Sequence, residues 1–268
     1  MGKSKFKSTE ISNPEFESNN LRFITVKTPN LKGRGDICVF VPPLKNLKDI
    51  PIVTLLHGVY ASAWAWPFKT GVHLKAWDMM QKNIINPMVL VMPSDGLWGD
   101  GSAYLPHNGF NFEQWITEDV IEGIIENIDM TSNKSSLYIS GLSMGGYGAL
   151  RLGAKYHKKY KAISAHSSLT NIDQMHLFVE EDITLYNQSG KEETAIIEIM
   201  LKHKNKLPHI RFDCGKNDIM IAHNRLLHQQ LEKAQVPHKF YEYDGVHEWK
   251  YWEKHIKDTL IFFNQFNN

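Results

Sequence analysis

Three side chains in this sequence have the types and the order needed to turn a hydroxyl into a nucleophile: Ser143, Asp218 and His247. A serine hydroxyl attacks poorly at neutral pH. It needs an imidazole to take its proton and a carboxylate to hold that imidazole in the useful tautomer. Ser143 lies in Gly141-Leu-Ser-Met-Gly145, where a β-prone run meets helix-compatible residues, the layout of a strained strand-to-helix turn that presents a serine. Asp218 closes the polar turn Cys214-Gly-Lys-Asn-Asp218, and His247 closes Tyr243-Asp-Gly-Val-His247. Together they imply acyl transfer through a covalent acyl-serine. The oxyanion of such a reaction needs donors, and the expected ones are the backbone N–H groups of Val59, just past His57-Gly58, and of Met144.

Other residues compete for these roles. Thirteen histidines are present, and most, such as His107, His203 and His255, are explained as surface or satisfied polar residues. His57 ends an apolar run at a glycine turn, which suits a structural hydrogen bond. Asp213 falls inside a strand and Asp244 leads a tight turn, where aspartate commonly bonds its own backbone. Trp64, Trp66 and Trp98 stand in long loops and are candidate walls of a substrate pocket. No metal is expected: His247-Glu248 begins like a zinc helix, but the second histidine of that motif would fall on Tyr251. No cofactor is expected either, because Gly141, Gly145 and Gly146 match neither dinucleotide nor phosphate-loop spacing.

The elements that must position these residues alternate. Strand patterns occur at residues 21–28, 36–41, 51–57, 88–92, 135–142, 160–165, 209–214 and 238–243, with Lys32-Gly33-Arg34-Gly35 as the turn between the first pair. Residues 51–57 are continuously apolar, as in a strand buried on both faces of a parallel sheet. Helical spacing joins Ile116, Val120, Ile124 and Ile128, then Leu227, Leu231 and Ala234, and finally Trp252, Ile256, Leu260 and Phe263. Residues 59–77 and 94–112 read as long aromatic loops that line a site. The pattern breaks at residues 168–206, which are more polar, include a helix-like stretch at 192–202, and read as a small cap insertion. The expectation is one α/β domain over residues 21–268, behind a polar leader at 1–20. Its sheet is eight-stranded and mostly parallel, of the α/β-hydrolase type, in which the acid and base follow the last two strands.

Leu55-Leu-His-Gly58, Gly141-Leu-Ser-Met-Gly-Gly-Tyr-Gly-Ala-Leu150, Cys214-Gly-Lys-Asn-Asp218 with Asn224-Arg-Leu-Leu-His228, and Gly245-Val-His-Glu-Trp249 occur in one order. Over residues 21–266 they resemble the esterase D family of α/β-hydrolases, most closely its bacterial tributyrin-esterase-like carboxylesterases. The resemblance implies a serine carboxylesterase for short acyl chains that needs no cofactor and is often a homo-oligomer. It also implies Ser143 as nucleophile, Asp218 as acid, His247 as base, and Val59 and Met144 as oxyanion donors. Relatives often place a glycine-containing loop after His-Gly, whereas Val59-Tyr-Ala-Ser-Ala-Trp64 has none. Leu142 and Glu248-Trp249 depart from S-formylglutathione hydrolases, a sister group with histidine before the serine and Asp-His-Ser-Tyr around the base. Carbohydrate esterases that remove acetyl or feruloyl groups are the main alternative; an acyltransferase and a non-catalytic binding module of the same fold come behind.

Composition bounds the partners. Over 268 residues the formal net charge is +1, against a nucleic-acid binder that works by neutralising phosphates. The lysines at 155, 158, 159 and 161 suit a solvated helix end. Cys38 and Cys214 sit in apolar runs, as buried thiols do. No apolar stretch is long enough for a membrane span or a signal peptide, so the expected place is the cytoplasm unless a signal peptide has been removed.

Overall fold

In the computed structural model, residues 4–190 and 193–267 are described. The centre of the sheet explains its apolar runs. Strand β4 (Ile52–Leu56) and strand β5 (Val89–Pro93) are buried at every position. Along β5 the side chains alternate between two layers, Val89 and Val91 on one face and Leu90 and Met92 on the other. Flanking them are β1 (Thr9–Ile11), β2 (Leu21–Thr28), β3 (Gly33–Phe40), β8 (Leu137–Leu142), β9 (Tyr160–His166), β10 (His209–Gly215) and β11 (Lys239–Tyr243). The order is β1-β2-β3-β5-β4-β8-β9-β10-β11, antiparallel from β1 through β5 and parallel from there on. A separate ribbon pairs β6 (Pro106–His107) with β7 (Phe110–Asn111).

One face is covered by α3 (Phe112–Gln114) running through a π-helical turn at Trp115–Val120 into α4 (Ile121–Asn127), with α5 (Met144–Lys155), α6 (Ile196–Lys202) and α7 (Ile221–Lys233). The other is covered by α1 (Ala65–Thr70), α2 (Val72–Gln81) and α8 (Trp249–Asn264), whose Trp252, Ile256, Leu260 and Phe263 form one buried stripe. The result is a mostly parallel sheet between helical layers, as expected.

Several local readings change. The ninth strand, β1, comes from the segment read as a polar leader and pairs antiparallel with β2. Gly33 and Gly35 are inside β3 rather than in the turn. A Cβ on Gly35 would lie 2.5 Å from the Trp115 ring, so this glycine marks a close approach within a strand. Residues 59–77 are not one loop, because they contain α1 and the start of α2, separated by Gly71 at φ 61°. The helical signal was present in Val72, Ala76, Met79 and Met80, all buried on one face. In the 168–206 stretch, short 3-10 turns at Ile172–Leu177 and Ile183–Tyr186 precede α6. The N-terminal end of the helix expected at 192–202 reaches residue 192, outside the described residues, and α6 begins at Ile196.

Candidate active site

Parallel strands deliver their C-terminal ends to one edge. Ser143 follows β8, Asp218 follows β10, and His247 follows β11. Ser143 adopts φ 53° and ψ −121°, in the region non-glycine residues avoid, and its N–H donates to the His166 carbonyl at 3.0 Å. The turn is tight enough that a Cβ on Gly141 would overlap the Gly145 carbonyl, and one on Gly145 would overlap that of Leu56. Both positions therefore require glycine, and α5 starts at Met144 directly beneath the hydroxyl.

Asp218 is held by its own turn as well as by His247. Its carboxylate is buried, and Oδ1 accepts the Met220 N–H at 2.8 Å in the turn that starts α7. His247 Nδ1 lies 2.9 Å from Oδ1 and 3.1 Å from Oδ2 of Asp218, while Nε2 lies 2.9 Å from Ser143 Oγ. A carboxylate only accepts, so the proton sits on Nδ1 and Nε2 presents its lone pair to the serine hydroxyl. That is the tautomer a general base requires. Two aromatic rings pack on the imidazole: Phe178 stacks on it at 5.2 Å, and Trp252 lies perpendicular to it at 5.0 Å while donating its indole N–H to Ser167 Oγ.

The competing residues have other work. His57 Nε2 accepts the Asp95 N–H at 3.0 Å, so Nδ1 carries the proton and donates to the Gly58 carbonyl. Both nitrogens are spent on backbone. Asp95 in turn accepts from the N–H groups of Leu97 and Ser102, shaping the loop after β5. Asp244 is exposed and pairs with Lys216. Asp213 is fully buried among His166, Arg211 and Tyr251, whose hydroxyl donates to it at 2.7 Å. Burial opposes its charge, but His166 and Arg211 outweigh that and hold its carboxyl below the usual range.

Gly58 packs on the serine turn, since a Cβ there would lie 3.4 Å from Ser143 Cβ, and this puts the Val59 segment beside Ser143. Met144 is the first residue of α5, whose opening N–H groups have no partner within the helix. The tryptophans diverge. Trp64 is exposed, and Trp98 is half-buried, edge-on to His107 at 4.6 Å. Trp66 is corrected: at 1% exposure it fills the core beneath β4, its indole N–H bonded to the Leu56 carbonyl at 3.0 Å, so it walls no pocket. Sequence reasoning missed Phe178 and took Trp252 only as part of an apolar stripe. The position of Trp252 in the first turns of the helix after His247-Glu248 was an available signal, whereas Phe178 sits in an aperiodic stretch and carried none.

The family described as "Putative esterase" matches residues 28–263. The chain belongs to this family. The esterase is 26% identical over 258 residues to an acetyl esterase of Caldicellulosiruptor saccharolyticus, covering 90% of both chains. Its fold is similar to that of a ferulic acid esterase, with a TM-score of 0.80, 22% identity, and 98% and 100% of the two chains covered. It is likewise similar to S-formylglutathione hydrolase (FrmB) from Staphylococcus aureus, at TM-score 0.77 and 18% identity over 94% of this chain and 98% of that one. Among the described residues of the esterase, no helix is long and apolar enough to cross a membrane. Behind the serine turn, Arg151 of α5 is buried between Glu113 and Glu193, which tie the helix to α3 and to the 168–206 stretch. Burial disfavours the charge on Glu113, yet Arg151, Tyr156 and Lys155 hold its carboxyl below the ordinary value.

Proposed function

We propose that the esterase is a serine carboxylesterase that hydrolyses short-chain acyl esters through an acyl-enzyme on Ser143. The observation that carries this is the continuous hydrogen-bonded line from Asp218 through His247 to Ser143 Oγ, 2.9 Å at each junction. In this reading Ser143 Oγ attacks the ester carbonyl carbon as its proton passes to His247 Nε2, and Asp218 stabilises the resulting imidazolium. The oxyanion is met by the N–H groups of Val59 and Met144, in a water-poor setting where such donors count most. Collapse returns the proton from Nε2 to the departing alkoxide and leaves the acyl group on Oγ. Water then repeats the sequence, giving its proton to Nε2 and releasing the carboxylic acid and free serine.

A short acyl chain is supported by the similarity to an acetyl esterase. One observation favours a second reading, removal of acetyl or feruloyl groups from glycans. Tyr60, next to Val59, is exposed together with Trp64 and Phe68, and such rings can stack on a sugar or a phenolic ring.

Fluorophosphonate labelling with peptide mass spectrometry tests the chemistry, with the adduct expected on Ser143; its absence from folded protein refutes the proposal. Rates on 4-nitrophenyl acetate, butyrate and octanoate should fall with chain length. Turnover of acetylated or feruloylated oligosaccharides far above that of the simple esters would select the second reading.

A further inference from the structure

Resting on that reading of Ser143, we propose that the turn Gly99-Asp100-Gly101, clamped by Glu180, Glu181 and Tyr186 of the 168–206 stretch, positions the oxyanion hole. Glu181 and Asp100 are then positioning residues, acting through Val59 and Met144.

The contacts converge on Asp100 and Gly101. Asp100 uses its backbone in both directions: its carbonyl accepts the Tyr60 N–H at 2.8 Å, and its N–H donates to Glu181 Oε1 at 2.7 Å. Its carboxylate accepts the Glu180 N–H at 2.8 Å. Gly101 then packs against the side chains of the two donor residues, since a Cβ there would lie 2.5 Å from Met144 Sδ and 3.2 Å from Val59 Cγ1. From above, the Tyr186 hydroxyl donates to the Gly101 carbonyl at 2.8 Å.

Tyr60 shows that this clamp imposes a conformation. It has φ 60° without being glycine. A tyrosine stays in the left-handed region only where its surroundings over-determine it, and here its N–H is held by Asp100. The peptide that carries the Val59 carbonyl and the Tyr60 N–H is thereby fixed, and this limits the directions open to the Val59 N–H. The clamp also joins two events. The stretch that supplies Glu180, Glu181 and Tyr186 also supplies Phe178, which stacks on His247. Displacing it to admit a bulky acyl group would loosen base and oxyanion hole together, so only substrates that fit beneath the seated stretch meet an assembled site.

The test compares Glu181→Ala, Glu181→Gln and Gly101→Ala in the full chain. It measures kcat and KM on 4-nitrophenyl acetate, and the inhibition constant of an acetyl trifluoromethyl ketone, whose adduct carries the oxyanion. Removing one oxyanion donor typically costs about a hundredfold or more, so misplacing one should lower kcat by about tenfold or more. Glu181→Ala and Gly101→Ala should show this loss with KM within about threefold of wild type, and should weaken the ketone by the same factor as kcat. Glu181→Gln keeps an acceptor for the Asp100 N–H and should recover most of the loss. A loss confined to KM or to melting temperature, with the ketone's affinity unchanged, overturns the proposal, as does full kcat in both alanine variants. Fluorophosphonate labelling separates the two failures: a labelled Ser143 with unaffected clamp variants removes only this inference, while an unlabelled wild type removes the reading beneath it.

Discussion

Replacing Asp218 by asparagine changes no volume and almost no shape, yet the geometry around it predicts a large kinetic effect. Asp218 Oδ1 is held by the Met220 N–H at 2.8 Å, which selects the amide oxygen for that position in the Asp218→Asn variant. The amide nitrogen then takes the place of Oδ2, 3.1 Å from His247 Nδ1. The Nδ1–H now meets an amide N–H beside the oxygen that stays 2.9 Å from it, and the negative charge that stabilised the imidazolium is gone. Where the imidazole turns to accept from the amide nitrogen, its proton moves to Nε2, where it points at Ser143 Oγ, and the ring can no longer accept the serine proton. Wrong-tautomer variants of such triads lose about 10⁴ in kcat. At about 1.36 kcal/mol per decade that is about 5.4 kcal/mol of transition-state stabilisation. The assay is kcat on 4-nitrophenyl acetate alongside a thermal melt, and the melt should stay within a few degrees because the buried packing is unchanged. An Asp218→Asn variant that keeps kcat within about tenfold of wild type would refute both the acid assignment and the tautomer argument.

Three further outcomes follow from the same geometry. Asp244→Asn, at an exposed position paired with Lys216, should leave kcat/KM within about twofold of wild type, as expected for a surface ion pair; a crippled variant would move the acid role there. Trp66→Phe should cost about 1–2 kcal/mol in urea unfolding through the hydrogen bond lost at the Leu56 carbonyl, with KM unchanged, and a shifted KM would return Trp66 to the pocket. Asp213→Asn leaves Arg211 and His166 short of their buried partner and should cost about 3–5 kcal/mol at pH 7. Because the folded-state carboxyl titrates below the unfolded one, the wild-type advantage is present above about pH 4 and shrinks as pH falls from there toward the folded value. Urea midpoints of both proteins at pH 7 and pH 3 measure this, and a gap that does not narrow in acid contradicts it.

The sequence alone determined what depends on local chain geometry and chain order. A strand–turn–helix around Ser143 is legible because Gly141 is demanded by a contact inside the turn itself and Gly145 by the end of β4 on which the turn packs. Asp218 and His247 are legible because parallel strands bring the residues after β10 and β11 to the same edge whatever their surroundings. Tertiary structure alone decided which aromatic residues reach the site. Trp64, Trp66 and Trp98 look alike in sequence, yet one is exposed, one is core and one packs on His107, because burial depends on which layer each element joins. Phe178 reaches His247 from a stretch with no apolar period to read. The clamp on the oxyanion loop joins residues 60, 100 and 181, far apart in the chain, through the backbone groups of Tyr60 and Asp100 and a single carboxylate of Glu181 in an aperiodic stretch. Such contacts leave no mark on composition or spacing, so they become visible only when the chain is folded.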